Sequence, residues 1–186
     1  MLNEVLDATR SHYLSKYRSS IRSYRTKFER SGVEVLLEMG GEKPLVYCYY
    51  RVDLASGSVQ PPDFTEVNPS THLSFEPAAV QHGGLSVLVS PLAWNGVQFR
   101  VQPALASDGP IAEWALKWID PDEQASPDED GLGAYVHNVT LPSLEQGATE
   151  FSVDFGSAPV ACVLELLDRR QEAGATSVEL SGHVED

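Results

Sequence analysis

The hydrophobic residues of this chain follow a helical period before Gly32 and a strand period after it. No proline or glycine occurs before Gly32, and the apolar residues of this segment share one face of a helical wheel drawn at about 100° per residue. That face carries Leu6, Tyr13, Leu14, Tyr17, Ile21, Tyr24 and Phe28. The pattern therefore predicts one amphipathic helix over residues 2–30.

The spacing of residues along the apolar face indicates what the helix packs against. Leu6, Tyr17 and Phe28 are 11 residues apart, which differs from the seven-residue repeat of a left-handed coiled coil. We therefore expect the helix to lie on a broad surface rather than to pair with a second copy of itself. Tyr13, Tyr17, Tyr24 and Phe28 are the predicted partner-binding residues of this face.

The first part of the body predicts a hairpin. Residues 33–39 and 45–52 are rich in β-branched and aromatic side chains, and residues 40–43 form the predicted tip between them. Residues 53–72 contain several prolines and read as a long loop. Because a loop of this length is unusual in a compact domain, we expect a short strand within it.

A second hairpin is predicted near the middle of the chain. Residues 85–89 and 97–101 alternate apolar and polar side chains, and Asn95-Gly96 separates them. Asn-Gly favours a type I′ turn because both central positions of that turn require positive φ. The two segments are therefore predicted to pair with each other.

The remaining strands are predicted in the C-terminal half. They cover residues 134–141, 150–155, 160–167 and 176–184, with a turn at residues 171–174. Residues 110–119 fit both periods, and Pro110 with the Ala, Glu, Leu and Lys content supports a helix. Their surroundings favour a strand, so a strand is the prediction and a helix the alternative.

Together these elements predict a mainly β protein. The expected architecture is a single antiparallel β-sandwich or barrel-like domain of about eight or nine strands over residues 32–186. The long N-terminal amphipathic helix, within residues 1–31, docks on this body or on a partner. Cys48 and Cys162 each lie in an apolar run without a second cysteine nearby and are predicted to be buried free thiols.

Charge is distributed unevenly along the chain. Residues 1–30 contain seven basic and three acidic residues, a net charge of +4, whereas residues 31–186 contain six basic and 24 acidic residues, a net charge of −18. The body would repel a nucleic acid, and three tyrosines on the apolar face suit protein packing better than a membrane surface. Arg10 also falls on the apolar face, so we expect imperfect docking there or an acidic partner for it.

The compartment is predicted from what the sequence lacks. The first 30 residues contain no apolar core of a secretory signal, and no later run has the roughly 20 apolar residues of a membrane span. These observations predict a cytoplasmic protein that binds neither membranes nor nucleic acid.

The densest group of carboxylates lies in a loop near residues 120–131. Alternating Asp128 and Asp130 before Gly131 resemble part of a calcium loop, but His137 stands where the bidentate glutamate would be required. A solvated acidic loop is therefore the prediction, and no cofactor is expected; calcium or a transition metal is the alternative.

Two kinds of candidate site remain. A metal site assembled from separate strands would use His72, His82, His137 and Glu76, although no pair of histidines has ligand spacing. Trp94, Trp114 and Trp118 are the candidate ligand-binding residues, since they could form a sugar-stacking platform, but core packing is the favoured interpretation for them. No catalytic motif is identified.

The function predicted from these features is non-enzymatic. We expect a binding or structural module whose acidic surface engages a protein partner, a basic one in particular, or a larger assembly, including a homo-oligomer. A carbohydrate-binding β-sandwich is the first alternative, and a small metal-dependent β-barrel enzyme is the second.

Overall fold

The N-terminal segment forms one long helix in the computed structural model, which describes residues 1–57, 62–68 and 73–182. Helix α1 (Leu2–Lys27) buries Leu6, Tyr13, Tyr17 and Ile21 on one face, as the helical wheel predicts. This face packs into the same hydrophobic core as the rest of the chain. Arg10, on that face, donates to the carbonyl oxygens of Ala158 at 2.7 Å and Ser157 at 3.0 Å. The guanidinium therefore meets carbonyls rather than an acid.

The described residues contain two further α-helices and ten strands. The helices are α2 (Gly109–Ile119) and α3 (Val160–Glu172), and a 3₁₀ helix covers Leu45–Cys48. The strands are β1 (Ser31–Glu38), β2 (Tyr49–Ser56), β3 (Asp63–Thr65), β4 (Ala78–His82), β5 (Leu85–Val89), β6 (Val97–Gln102), β7 (Asn138–Val139), β8 (Ser143–Glu145), β9 (Ala148–Asp154) and β10 (Ser177–Gly182).

These strands form two open sheets, not a single sandwich or barrel. The small sheet has the order β1-β2-β3, and the large sheet has the order β4-β5-β10-β6-β9-β7, with β8 also paired to β9. The first predicted hairpin is confirmed in its pairing, because β1 and β2 pair antiparallel, but residues 45–48 of its predicted second strand form the 3₁₀ helix instead. Strand β3 is the short strand expected within the loop that follows β2.

The second predicted hairpin is wrong. Strand β10 lies between β5 and β6 and pairs parallel with β5 and antiparallel with β6. Asn95 and Gly96 are not among the described residues with positive φ, so the type I′ turn does not form. The turn preference of Asn95-Gly96 does not decide the pairing here, because β10, which begins 75 residues after the end of β6, inserts between β5 and β6.

Three of the predicted strands are helical or shorter than expected. Residues 110–119 form α2, which buries Ile111, Trp114, Ala115 and Ile119 at helical spacing. The strand predicted over residues 160–167 is the first part of α3, because a short apolar run fits a buried helix as well as a strand. The strand predicted over residues 134–141 is reduced to the two residues of β7.

The core lies between one face of the large sheet and the helices. Strand β6 buries Val97, Phe99 and Val101, while the residues between them are only partly covered. The buried residues of α1, α2 and α3 belong to the same cluster as these side chains. Cys48 and Cys162 are buried and free, as predicted. Within the described part of the chain, no helix combines the length and apolar character needed to cross a membrane.

The two sheets meet beside helix α1. The backbone N–H of Arg51 in β2 donates to the carbonyl oxygen of His137, which precedes β7, at 2.9 Å. The side-chain amide of Asn138 donates to the carbonyl oxygen of Tyr49 at 3.1 Å. This junction brings polar residues of both sheets together under the helix.

Candidate functional site

A buried histidine lies between two buried carboxylates at the junction of the sheets. His137 is 0% exposed, Asp53 of β2 is 1% exposed and Glu34 of β1 is 2% exposed. The His137 Nε2 atom is 2.7 Å from Glu34 Oε1, and its Nδ1 atom is 3.1 Å from Asp53 Oδ1. We call these three residues the buried triad.

The triad favours a charged imidazole. Burial opposes the charge of His137, but the interactions with Asp53 and Glu34 and the negative charge of Asp154 outweigh burial and raise the pKa of His137 well above its ordinary value. The protonated imidazole is therefore favoured: Nε2 is hydrogen-bonded to Glu34, and Nδ1 lies 3.1 Å from Asp53 Oδ1 without the geometry of a hydrogen bond.

The backbone around the triad is shaped to hold it. Glu34 has a φ of +51°, a backbone conformation that residues other than glycine and asparagine rarely adopt. The pairing between β1 and β2 is interrupted at Glu34. Its Oε2 atom accepts the N–H of Gly133 at 2.6 Å. Gly156 has a φ of +46°, and a Cβ added there would overlap the His137 ring. Hydrogen bonds to Gly133 and His137 thus hold the Glu34 side chain, and the absence of a side chain at Gly156 leaves room for the His137 ring.

Helix α1 is tied to the triad through two tyrosines. The Tyr13 hydroxyl donates to Asp53 Oδ1 at 3.2 Å, and the Tyr17 hydroxyl donates to the Asp53 carbonyl oxygen at 2.9 Å. Asp53 Oδ2 also accepts the N–H of Val67 at 2.6 Å. Asp53 therefore connects the helix with the small sheet and with His137.

A buried arginine connects the triad to helix α2. Arg51 is 1% exposed, and its guanidinium donates to the carbonyl oxygens of Glu34 at 2.8 Å and of Ile119 at 2.9 and 3.0 Å. A further hydrogen bond of 2.9 Å reaches the carbonyl oxygen of Asp120. The guanidinium also lies 3.8 Å from the centre of the Tyr135 ring. Arg51 therefore satisfies carbonyl groups at the C-terminal end of α2 that have no helical partner.

Asp154, the last residue of β9, is the carboxylate beside the triad that lies nearer the surface. Burial raises the pKa of Asp154 to about 7, the negative charge of Asp53 adds to the rise, and His137 opposes it. The carboxylate is half-buried, and its Oδ1 atom accepts the N–H of Gly156 at 2.9 Å. The site can therefore hold a proton on Asp154 near neutral pH.

Replacing Asp154 with asparagine should remove part of the pH dependence of stability. Its pKa lies above the ordinary value of 3.8, so the folded state binds this proton more tightly and stability falls as the pH rises from about 4 towards about 7. The raised pKa of His137 acts in the same direction, because its contribution is complete below the unfolded pKa and is lost above the folded one. In thermal unfolding between about pH 5 and about pH 8, we expect D154N to lose less stability than the unaltered protein and to be the more stable of the two at about pH 8.

The matched control for this experiment is D122N, because Asp122 is an exposed carboxylate of the acidic loop. It should leave the pH dependence unchanged. An identical slope for D154N and the unaltered protein would contradict the assignment of this proton to Asp154.

The candidate metal residues are not brought together. His82 ends β4 and His137 precedes β7, and these strands are at opposite edges of the large sheet. His82 Nε2 is 2.7 Å from Asp168 Oδ1, and Glu76 is exposed. His72 lies outside the described residues. Within residues 1–57, 62–68 and 73–182, no group of three or more His, Cys, Asp or Glu is placed to hold a metal ion.

The three tryptophans pack inward or against helix α3. Trp94 and Trp114 are buried, with ring centres 4.9 and 6.2 Å from that of Phe155. Trp118 is half-buried, and its indole N–H donates to Glu165 Oε2 at 3.0 Å. The structure therefore places Trp94 and Trp114 in the core and not on an exposed face.

The predicted partner-binding residues of α1 face the body of the same chain. Tyr13, Tyr17 and Tyr24 are buried, and Phe28 is half-buried with its ring centre 4.5 Å from that of Tyr24. Of these four, Phe28 alone lines the open cleft at the junction of α1 and β1, whose lining residues are Arg25, Phe28, Glu29, Arg30, Ser31, Gly32 and Gly57.

The acidic loop is attached to the basic side of α1. Arg18 binds Asp128 at 2.8 Å and Asp130 at 2.5 Å, and Arg25 donates to the Asp130 carbonyl oxygen at 2.7 Å. The basic residues of the helix thus meet carboxylates of the body, although exposed pairs of this kind add little stability each.

Most residues of the triad and its surroundings were missed in the sequence. Glu34, Asp53 and Asp154 each lie between two apolar residues, and Arg51 lies in the apolar run of β2. The available signal was a single charged residue at a position where the strand pattern predicts burial. Because buried charges are generally paired, such a residue indicates a partner elsewhere in the chain.

Comparisons with known proteins give no relative from which a role could be carried over. No protein family, no curated protein and no solved structure matches the chain. The function must therefore be argued from the residues themselves.

Proposed function

We propose that this chain is a non-catalytic interaction module whose acidic surface binds a basic protein partner. Self-association and a cytoplasmic location belong to the same proposal. The supporting observation is that most basic residues of the body are buried or paired with carboxylates.

Five of the six basic residues after residue 30 are buried or bound to carboxylates. Arg51 and Arg170 are buried. Arg100 pairs with Glu150, Lys117 with Glu165 at 2.6 Å, and Arg169 with Glu165 at 3.1 Å. The sixth, Lys43, is exposed. Because most basic side chains of the body are buried or paired with carboxylates, the remaining acidic side chains give its surface a net negative charge.

The acidic loop is the part of this surface on which we place the partner. Arg18 pairs with Asp128 and Asp130, and Glu123 lies 3.5 Å from the Arg51 guanidinium, which leaves the exposed side chains of Asp122 and Glu129 for a partner. A loop that is held at one end loses less conformational freedom when it binds. Complementary charge would increase the rate at which a basic partner associates and would make binding sensitive to salt.

The buried triad supports a structural role rather than a catalytic one in this proposal. His137 is 0% exposed and each ring nitrogen faces a carboxylate, so a substrate cannot reach the imidazole in this conformation. The two alternative functions lack a supporting observation in the described residues, because Trp94 and Trp114 are buried and the predicted metal ligands are separated.

The proposal is tested with charged polymers and a pair of double variants. The unaltered protein should bind poly-L-lysine in titration calorimetry, with an affinity that falls as salt is added, and should not bind poly-L-glutamate or duplex DNA. We expect D122N/E129Q to weaken poly-L-lysine binding by roughly tenfold, because two exposed charges of the loop are removed.

The control variant removes the same charge from another exposed place. Glu38 and Glu42 lie at the end of β1 and in the connection after it, and both are exposed. E38Q/E42Q should bind almost as well as the unaltered protein. Equal losses in the two variants would point to unspecific attraction, and tighter binding to DNA than to poly-L-lysine would reject a basic protein partner.

A further inference from the structure

Arg170 is a buried arginine whose side chain has no hydrogen-bonding partner among the described residues. It lies in the last turn of α3 and is 0% exposed. Its Nε, Nη1 and Nη2 atoms are all covered, and none of them has an acceptor in the described structure. A guanidinium carries five N–H donors, so all of them need an acceptor from outside these residues.

Arg51 is an equally buried arginine of the same chain, and its guanidinium has hydrogen-bonding partners. Arg51 is 1% exposed, donates four hydrogen bonds to carbonyl oxygens and stacks on Tyr135. Arg10, which is partly buried, also donates to two carbonyl oxygens. Arg170 departs from this pattern, although the transfer of a cation into the core is costly without a partner.

The backbone carbonyl groups at the end of α3, including that of Arg170 itself, accept hydrogen bonds from the residues that follow the helix. The carbonyl oxygens of Arg169, Arg170 and Gln171 accept the N–H groups of Ala173, Ala175 and Gly174, respectively. Arg169 is itself a cation and pairs with Glu165 and Glu113.

Tyr47 of the 3₁₀ helix is the other residue that acts electrostatically on Arg170, and its hydroxyl donates to Asp108 Oδ2 at 3.0 Å. Asp108 is exposed and precedes α2. Among the described residues, no acidic side chain pairs with Arg170, and none of its three guanidinium nitrogens has an acceptor.

The charge of Arg170 persists at neutral pH. Burial, and after it the positive charge of Arg169, lowers the pKa of Arg170 to about 10, which still leaves the guanidinium protonated near pH 7. A protonated, enclosed guanidinium is stabilised by an anion that accepts its hydrogen bonds.

We propose that Arg170 forms a binding site for a small inorganic anion, of the size and charge of chloride, at the C-terminal end of α3. A single-atom anion suits this place because all three guanidinium nitrogens are enclosed by the protein. A phosphate group would need room for five non-hydrogen atoms beside the same three nitrogens. This inference does not depend on the proposed function.

Thermal unfolding in different sodium salts tests the site on the full chain. At constant ionic strength, replacing sodium gluconate with sodium chloride or bromide should raise the Tm of the unaltered protein. The rise should be roughly 3–6 °C when the halide concentration is tenfold above its Kd. We expect R170M to lose this rise. R169M should keep it, because Arg169 is a neighbouring cation that already has carboxylate partners.

A second measurement keeps the proposal testable if R170M does not fold. Crystals of the unaltered protein grown in sodium bromide should show an anomalous bromide peak within hydrogen-bonding distance of the Arg170 guanidinium. The proposal fails if the Tm of the unaltered protein is the same in halide and gluconate, or if R170M retains the full rise. It also fails if the crystals show only water or a protein group at that position.

Discussion

Replacing His137 with leucine should lower the free energy of unfolding by roughly 3–5 kcal/mol, because it leaves the buried carboxylates of Glu34 and Asp53 without their charged partner. Leucine is close to histidine in size, so the loss of charge and hydrogen bonds dominates over a change in packing. Urea unfolding followed by circular dichroism at about pH 7 measures the effect. A loss of this size is a large part of the 5–15 kcal/mol that typically separates folded from unfolded domains.

The control for this prediction is a second histidine–carboxylate pair in the same chain. His82 Nε2 is also 2.7 Å from a carboxylate oxygen, but the side chains of His82 and Asp168 are 22% and 61% exposed. H82L should therefore change the free energy of unfolding by no more than about 1 kcal/mol. If H137L and H82L destabilise equally, burial does not determine the contribution of the triad.

Removing residues 1–30 should prevent the body from remaining a soluble, folded monomer. The truncation uncovers the surface on which Leu6, Tyr17 and Ile21 are buried, and each large apolar side chain in such a contact contributes roughly 1.5–3 kcal/mol. It also removes the hydroxyl groups of Tyr13 and Tyr17, which leaves Asp53 without two of its donors. We expect aggregation on size-exclusion chromatography and loss of a cooperative thermal transition.

The control keeps the helix and changes only its exposed side. Lys16 and Arg22 are exposed residues of α1, so K16S/R22S should leave the elution volume and the thermal transition nearly unchanged. A truncated body that stays monomeric and unfolds at the same temperature would show that α1 does not contribute to the core.

The sequence predicts the elements whose pattern is local and long. Helix α1 has a continuous apolar face over its whole length, and its observed end at Lys27 is three residues from the predicted one. The β1–β2 pair follows from two strands of adjacent sequence with glycines between them. In both cases neighbouring residues contain the information that determines the structure.

The wrong predictions of secondary structure and strand pairing occur where the structure depends on contacts between distant parts of the chain. Helix α3 contains the apolar run 160–164, and a run of this length does not distinguish a buried helix from a strand. The position of β10 between β5 and β6 depends on pairing between residues far apart in sequence. No pattern within β5 or β6 indicates that a third strand separates them.

The buried triad was only partly visible for the same reason. His137 was identified as a candidate, but as a metal ligand, because its partners Glu34 and Asp53 come from β1 and β2, far earlier in the sequence. Glu34 and Asp53 become neighbours only through the antiparallel register of these strands. Arg170 lies at a position where helical periodicity predicts an apolar side chain, and the sequence does not reveal that it lacks a protein partner.

The central place of β10 has a consequence for how the chain folds during synthesis. The ribosome makes β5 and β6 well before β10, yet neither can complete its hydrogen bonds on the facing side until β10 arrives between them. Until then the growing chain presents two open strand edges, which are prone to pair with other nascent chains. Assembly of the large sheet should accordingly be a late and slow event, and chaperones that shield strand edges would benefit the newly made protein.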